Sequence, residues 1–320
     1  MSDNRALSAE IRVIPTERRE GGTLKHFRRY WDLYLILLPG LLHLILFRYV
    51  PLWGILIAFQ DYSPFAGMKG SDWVGLKHFN AMFHDAEFAK LLKNTFLISI
   101  YKIVWGFPGP ILLALMLNEV RRTLFKRWFQ TLVYLPHFLS WIIIGGILFN
   151  LLSPSTGVIN DVLKAFGMEP ILFLASPEWF RTILVASDLW KEIGWGTIIY
   201  LAALSSVDPQ LYEAAIMDGA NKWKQTIYIT LPSIMGTIVI LFLLRLGNIL
   251  EVGFEQIFVL YNPLVYDVAD VFETYIYREG ITRGNFSYTT AIGLFQNVVG
   301  LLLVVLANQA SKKAGQDGIW

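Results

Sequence analysis

The chain alternates long apolar stretches with shorter polar segments, and six of the apolar stretches are long enough to cross a bilayer. A spanning helix needs about 20 mostly apolar residues, because each residue adds only about 1.5 Å along the helix axis. The pattern therefore predicts an all-α membrane protein with six transmembrane helices, and an even number of spans puts both termini on one side. The predicted spans are residues 33–60, 92–117, 129–152, 181–204, 232–250 and 289–310.

The composition also indicates that lipid is part of the solvent. Of the 320 residues, 55% are hydrophobic and only 16% are charged, and the mean hydropathy is +0.48. A formal net charge of +2 gives no reason to expect a nucleic-acid partner. The sequence contains no cysteine, which excludes disulfides, thiolate metal sites and cysteine catalysis.

The distribution of Lys and Arg predicts the orientation in the membrane, because cytoplasmic loops are enriched in these residues. With both termini inside, 15 of the 27 basic residues fall on the inner segments, which are 1–32, 118–128, 205–231 and 311–320. Only 8 fall on the longer outer segments, which are 61–91 with the adjacent Lys93, 153–181 and 251–288. Both tails are therefore predicted to be cytoplasmic, and the first is a retained basic tail rather than a cleaved secretory signal.

The most specific local pattern lies between the fourth and fifth predicted spans, in residues 207–232. Asp208 followed by Pro209 is typical of a helix start, since an acceptor caps the free amides and proline fits the first turn. Gly219 is placed to end that helix in a left-handed conformation, and Asn221 can cap a second short helix. The loop is therefore predicted to be a helix-turn-helix at the cytoplasmic membrane surface.

This loop resembles the signature cytoplasmic loop of ABC importer permeases, which reads Glu-Ala-Ala, three residues, Gly, nine residues, Ile, one residue, Leu-Pro. Glu213, Ala214 and Ala215 are followed at that spacing by Gly219, Ile229, Leu231 and Pro232, and no position departs from the pattern. Residues 190–196 and 200–204 are similar to the sugar-importer branch. Residues 253–256, 274–278 and 287–296 are similar to its polysaccharide and oligosaccharide subgroup, and the resemblance covers about residues 30–312.

The resemblance implies a type I ABC importer permease fold in residues 33–310 and a place in the bacterial inner membrane. Such permeases work as a pair of homologous subunits, with two ATPase subunits inside and a solute-binding protein outside. ATP and Mg²⁺ would be held by the ATPases, so no cofactor is expected on this chain, and the sequence indeed has no phosphate-binding Gly-rich loop followed by Lys-Ser or Lys-Thr. The expected cargo is an oligo- or polysaccharide, and an anionic one such as alginate fits the subgroup.

By the same resemblance, residues 207–232 are called here the coupling loop, and the short helix in this loop would insert into a cleft of one ATPase. Glu213 would contact a basic ATPase residue, whereas taken alone it would be an ordinary solvated charge. The residues expected to couple the permease to the ATPase are Glu213, Ala214, Ala215, Met217, Asp218, Gly219, Leu231 and Pro232.

Six ionisable residues fall inside the predicted spans, where a charge is costly unless it faces the bundle or water. They are Arg48, Lys102, Asp188, Lys191, Glu192 and Arg245. Two interpretations stay open: ion pairs that hold the fourth span to the fifth, or a polar lining of the sugar pathway near its outer mouth. The excess of cations in this set is consistent with an anionic sugar. The candidate pathway residues are Asp188, Lys191, Glu192, Trp195, Arg245 and Asn248.

Other functions find less support in the sequence. His78, His84 and Asp85 lie together in the first outer segment, but their spacing matches no common metal site, and no metal is expected. A six-span membrane enzyme would need a catalytic constellation, and none is found. A channel or scaffold would not need an ATPase-docking helix. The outer segments are rich in aromatic residues, which predicts an interfacial belt or a docking surface for an external partner.

Overall fold

The computed structural model describes residues 30–313, 315 and 318. Most of the two predicted cytoplasmic tails, 1–32 and 311–320, lies outside the described residues. The chain divides into one unit ending at Gly54 and a second unit beginning at Ile55. The described part is mainly helical, which confirms the predicted fold class, and its one sheet is a short antiparallel ribbon that pairs Gln60 with Trp73.

The elements are given in chain order. The α-helices of the described residues are α1 (Trp31–Leu44), α2 (Gly67–Gly70), α3 (Lys77–His84), α4 (Ala86–Gly106), α5 (Pro108–Glu119), α6 (Thr123–Tyr134), α7 (Trp141–Leu151), α8 (Val158–Ala165), α9 (Pro177–Ser205), α10 (Pro209–Met217), α11 (Lys222–Gln225), α12 (Leu231–Gly247), α13 (Phe254–Leu260), α14 (Tyr266–Ala269), α15 (Phe272–Tyr275) and α16 (Phe286–Lys313). The strands are β1 (Gln60–Asp61) and β2 (Asp72–Trp73). The 3₁₀ segments are Val50–Phe59, Leu135–Phe138, Phe173–Ala175 and Pro263–Val265, and the π-helical segments are Ile45–Tyr49, Thr226–Thr230 and Ile276–Thr282.

Four helical runs of the described residues are long and apolar enough to cross a membrane: Trp31–Phe59, Ala86–Glu119, Lys222–Gly247 and Phe286–Lys313. They correspond to the first, second, fifth and sixth predicted spans. The count rises to five if the bent pair Thr123–Phe138 and Trp141–Leu151 forms one span. By length and composition alone, four or five of the six predicted spans are recognised among the described residues.

The third predicted span is not one straight helix, because the chain bends by 102° between α6 and α7. Pro136 has no amide hydrogen to donate and interrupts the helical ladder. Leu139 is then extended, and Ser140 caps the new helix by accepting the Ile143 amide hydrogen at 3.4 Å. The fourth predicted span, α9, is 29 residues long, but Asp188, Lys191 and Glu192 lie at its middle and make it too charged to count as apolar.

Glycine lets two helix pairs approach closely within the second unit. A Cβ atom built on Gly194 of α9 would overlap the Val133 carbonyl oxygen and lie 2.6 Å from its carbonyl carbon. A Cβ atom on Gly300 of α16 would lie 2.5 Å from the Gly247 carbonyl oxygen at the end of α12. At both positions any side chain would force the helices apart.

The outer segment 251–288 is folded rather than loose. Its buried residues Ile257, Leu260 and Val265 form one core cluster with Ile98 of α4 and Leu184 of α9. Three aromatic residues of the outer segments, Phe88, Phe173 and Phe180, are themselves buried, so they belong neither to an interfacial belt nor to a docking surface. This packing places the outer segment 251–288 against α9, whose middle contains Asp188, Lys191 and Glu192.

Candidate functional site

The coupling loop has the predicted local structure. Asp208 caps α10 by accepting the Gln210 amide hydrogen at 2.9 Å, and Asn221 caps α11 by accepting that of Lys224 at 2.9 Å. Gly219 has φ +74°, as predicted for the left-handed end of α10. The Gly219 and Ala220 amides donate to the Ile216 and Ala215 carbonyls at 3.0 and 2.8 Å, which closes the helix with a Schellman motif.

Helix α10 is exposed in this chain, and none of its residues is buried. Met217 is 87% exposed, although an apolar side chain of that size normally packs. Within the described part of the chain, Glu213 has no ion-pair partner. Asp218 and Gly219 are also exposed.

Two contacts tie the exposed α10 and the start of α11 to the long helices. The Tyr212 hydroxyl lies 3.0 Å from the Thr230 hydroxyl, one residue before Leu231 and Pro232 begin α12. The Lys222 ammonium pairs with Glu119 at the end of α5 at 3.1 Å. Leu231 and Pro232 thus stand at the base of the fifth predicted span rather than on the exposed surface of α10. The Tyr212–Thr230 contact joins α10 to the residue that precedes α12.

The second candidate site is a cavity of about 520 Å³ between the helices of the second unit, called here the central cavity. Asp188, Glu192, Trp195 and Arg245 line it, as the sequence predicted for pathway residues. Residues that the prediction did not include complete its walls. They are Lys102, Gly106, Phe107, Pro110, Trp141, Leu189, Ile193, Gly196, Ile199, Tyr200, Leu241, Glu251, Val252, Gly253 and Glu273.

Two of the predicted pathway residues lie elsewhere. The Lys191 ammonium is buried and donates to the carbonyl oxygens of His137 and Leu139 at 2.5 and 2.9 Å. These carbonyls lie at the break after α6, so Lys191 satisfies acceptors that the broken helix leaves free. Asn248 lines an adjoining cavity of about 180 Å³, which shares Glu251 and Glu273 with the central cavity.

The structure contains an ion pair between predicted spans, but its partners differ from those that were expected. Asp188 of α9 pairs with Lys102 of α4 at 2.9 Å, so the pair joins the second predicted span to the fourth. Arg245, on the fifth predicted span, makes no ion pair with any described residue. The expected ion pairs between the fourth and fifth spans are therefore wrong, because Lys102 takes the carboxylate that they required.

The charge balance of the central cavity also differs from the expectation. The cation excess counted over the spans does not hold among the lining residues, which include four carboxylates, Asp188, Glu192, Glu251 and Glu273, and two cations, Lys102 and Arg245. A third cation, the Lys191 ammonium, lies 3.7 Å from Glu192 Oε1. Glu251 and Glu273 lie in the segment predicted as an outer loop, and only the folding of that segment brings them to the cavity. Burial raises the pKa of the Glu273 carboxyl, which favours its neutral form.

One wall of the central cavity contains the Trp195 ring, which packs against a second aromatic ring. The Trp195 ring stacks on the His137 ring with centroids 4.4 Å apart and an angle of 2° between the planes. His137 Nδ1 lies 2.8 Å from Glu192 Oε2, which fixes the imidazole. Trp195 is 46% exposed, and Trp141 lines the cavity as well. A wall of aromatic faces beside charged groups can hold a molecule that is apolar on its ring faces and polar at its edges.

The histidines of the first outer segment make ordinary structural bonds. His78 Nε2 lies 3.1 Å from the Gln60 carbonyl oxygen, and His84 Nδ1 lies 2.8 Å from that of Asn80. Among the described residues there is no group of three or more His, Cys, Asp or Glu side chains that could hold a metal ion.

Similarity to known proteins covers the whole chain. The family model for binding-protein-dependent transport system inner membrane components matches residues 106–314. The chain is 49% identical over 319 residues to the polygalacturonan/rhamnogalacturonan transport system permease protein YteP of Bacillus subtilis strain 168, with 100% of this chain and 99% of YteP covered. It is 48% identical over 288 residues to protein LplB of the same strain, with 90% and 91% covered.

Among solved structures, a chain of the crystal structure of a bacterial alginate ABC transporter in complex with alginate pentasaccharide-bound periplasmic protein superposes with a TM-score of 0.86. The two chains are 44% identical, and the match covers 93% of this chain and 99% of that one. A second structure, of a bacterial ABC transporter involved in the import of the acidic polysaccharide alginate, matches with a TM-score of 0.84 at 45% identity, over 91% of this chain and 98% of that chain.

Proposed function

The chain belongs to the family of binding-protein-dependent transport system inner membrane components, and from this premise we propose that it carries uronate-containing oligosaccharides into the cell. Polygalacturonan and alginate, named for its relative and for its structural neighbours, are both acidic polysaccharides. A saccharide that carries carboxylates is the cargo class that these likenesses share.

The complete transporter in this proposal has five subunits. This chain pairs with a second homologous permease, two ATPase subunits hold ATP and Mg²⁺ on the cytoplasmic side, and a solute-binding protein delivers the saccharide outside. Both termini of this chain are cytoplasmic, and the chain itself binds no nucleotide. ATP-driven closure of the ATPases moves α10, and the spans then alternate between outward-open and inward-open states.

The observation that carries the ATP-driven part of the proposal is the exposed helix α10 with its unpaired Glu213. An exposed apolar surface beside a carboxylate without a partner is typical of an interface. The Tyr212–Thr230 contact at 3.0 Å gives this interface a mechanical path into α12. A channel that moved solute without ATP would have no use for such a path.

The cargo part of the proposal is supported by the central cavity. Arg245 lines the cavity with no ion pair to any described residue, so its guanidinium can bind a carboxylate of the cargo. Trp195, held by His137, offers a flat surface to a pyranose ring. Among the predicted pathway residues, Asp188 and Glu192 would accept hydrogen bonds from sugar hydroxyls.

The cargo is tested by reconstituting the permease pair with its ATPases and candidate binding proteins in liposomes. Saturated oligogalacturonates, alginate oligosaccharides and neutral malto-oligosaccharides are each added, and ATP hydrolysis is measured. We expect stimulation by at least one of the two uronate series. Stimulation by the neutral series alone would contradict the proposed cargo.

The coupling role is tested by Glu213→Ala in the same complex. We expect substrate-stimulated ATP hydrolysis to fall by about tenfold or more, because truncating one partner of a charged interface contact is costly. The thermal unfolding midpoint of the complex should change only slightly, as is usual for substitutions of exposed residues. The matched control is Glu169→Ala, which removes an exposed carboxylate of the second predicted outer segment. Equal hydrolysis in the two variants would argue against the docking helix.

A further inference from the structure

Lys102 is a buried cation whose donors are all used. Its side chain is only 2% exposed. The ammonium donates to Asp188 Oδ1 at 2.9 Å, to the Val252 carbonyl oxygen at 2.8 Å and to Gln256 Oε1 at 2.6 Å. A lysine ammonium has three donors, so each finds one acceptor here. A buried charge is tolerated only when its donors are all paired in this way. The surrounding residues therefore form a specific site for the Lys102 ammonium.

The three acceptors lie on different parts of the chain around the central cavity. Asp188 is on α9, whereas Val252 and Gln256 belong to the segment that follows α12. Gln256 is itself buried and donates to the Leu184 carbonyl oxygen and the Ser187 hydroxyl at 2.7 and 2.9 Å. Lys102 on α4 therefore ties the second predicted span, the fourth and the turn after the fifth into one network.

The network also determines where two cavity carboxylates lie. Asp188 is held directly by Lys102. The Val252 amide donates to Glu273 Oε2 at 3.2 Å, while its carbonyl oxygen accepts from Lys102. The next residue, Gly253, has φ +96°, a conformation that glycine adopts without strain and that sets the direction of this turn. Moving Lys102 would thus shift Asp188 and, through the Val252 peptide, Glu273.

Lys102 lines the central cavity, but its side chain is almost wholly covered by its partners. The Asp188 side chain is 22% exposed and the Lys102 side chain only 2%, so a cargo molecule meets the carboxylate first. The ion pair nevertheless weakens the field of Asp188 in the cavity, because the opposite charge lies 2.9 Å away. Without Lys102, the Asp188 carboxylate would have no ion-pair partner among the described residues, and its charge would repel an anionic cargo in the cavity.

We propose that Lys102 is a positioning residue that permits an anionic saccharide to enter the central cavity, by neutralising Asp188 and holding the Val252 turn. The inference rests on the proposed uronate cargo. It assigns the substrate preference to a buried cation that does not contact the cargo, with Arg245 left free to bind the carboxylate.

The test compares two substrates that share one backbone, an oligogalacturonate and its methyl ester, in the reconstituted complex with a binding protein shown beforehand to carry both. The quantity measured is the KM of ATP hydrolysis for the anionic form divided by that for the ester. Lys102→Met should raise this ratio by about tenfold or more, because it leaves Asp188 as an unneutralised charge. Lys102→Met/Asp188→Asn should return the ratio to within about threefold of the wild type, since both charges are gone.

If the complex that contains Lys102→Met does not assemble, two further variants still test the proposal. Asp188→Asn keeps an acceptor for Lys102 but leaves its charge uncompensated, so the ratio should fall below the wild-type value. Lys102→Arg keeps the charge with a different geometry, so the ratio should stay within about threefold even where stability drops.

A purely structural Lys102 would change both KM values alike and leave the ratio constant in every variant, which would overturn the proposal. A ratio that rises in Asp188→Asn would overturn it as well. Failure of the proposed cargo is distinguishable, because the wild-type complex itself would then show no hydrolysis stimulated by either uronate series; if only the alginate series stimulates hydrolysis, the same ratio is measured with an alginate oligosaccharide and its methyl ester.

Discussion

Helices α6 and α9 approach closely because Gly194 has no side chain, and Gly194→Ala tests this contact. A Cβ atom at position 194 would lie 2.6 Å from the Val133 carbonyl carbon and 2.9 Å from Val133 Cγ1. Carbon atoms in good contact are about 3.5–4.0 Å apart. The two helices would have to separate by about 1 Å, and the contacted atom is backbone, which cannot rotate away.

The expected cost follows from two opposing effects. Overpacking of a tight contact costs about 1–3 kcal/mol. Replacing glycine by alanine within a helix contributes about 0.5–1 kcal/mol of stability in the other direction. Gly236→Ala in α12 is the matched control, because a Cβ atom there meets nothing within 4 Å and only the second effect remains. The difference between the two variants should therefore be about 1–3 kcal/mol.

The assay is the thermal midpoint of the purified permease complex in nanodiscs, followed by tryptophan fluorescence at one scan rate, since membrane complexes often unfold irreversibly. Gly194→Ala should melt several degrees below Gly236→Ala. The shift should be accompanied by a loss of transport, because Lys191 and Glu192, on the neighbouring turn of α9, bind the break after α6. Equal midpoints for the two variants would refute the close approach of these helices.

Two further predictions concern other contacts of the second unit. Gly300→Ala should lower the midpoint relative to Gly293→Ala, because the first Cβ atom would lie 2.5 Å from the Gly247 carbonyl oxygen and the second has only an ordinary contact at 4.0 Å. Arg278→Met should cost about 3–5 kcal/mol, because it leaves Asp270, 1% exposed and bonded to Arg278 at 2.5 and 3.1 Å, as an uncompensated buried charge. Adding Asp270→Asn should recover most of that loss, and a double variant no more stable than the single one would contradict the ion-pair account.

Local sequence signals predicted the coupling loop well. Asp208, Gly219 and Asn221 have the roles expected of them, because caps and left-handed turns depend on a few adjacent residues. The apolar stretches likewise marked four long helices. The charged residues inside those stretches were harder to interpret. The sequence shows that burying such a charge costs free energy, but it does not show which residue pairs with it.

The central cavity shows that limit most clearly. The predicted pathway included Lys191, which instead binds two carbonyl oxygens at the break after α6. It left out Glu251 and Glu273, which hydropathy assigned to an outer loop. No spacing rule connects Lys102 with Asp188 or Val252, because they are 86 and 150 residues away along the chain.

By itself, the sequence determined that this protein is a helical membrane protein with a capped, glycine-terminated helix before its fifth apolar stretch, because hydropathy and capping act over a few neighbouring residues. Only the tertiary structure decided which intramembrane charges pair, which line the cavity and where the third span breaks. Those outcomes depend on side chains brought together from distant segments, and in a low-dielectric interior each buried charge takes whichever partner the packing places within reach.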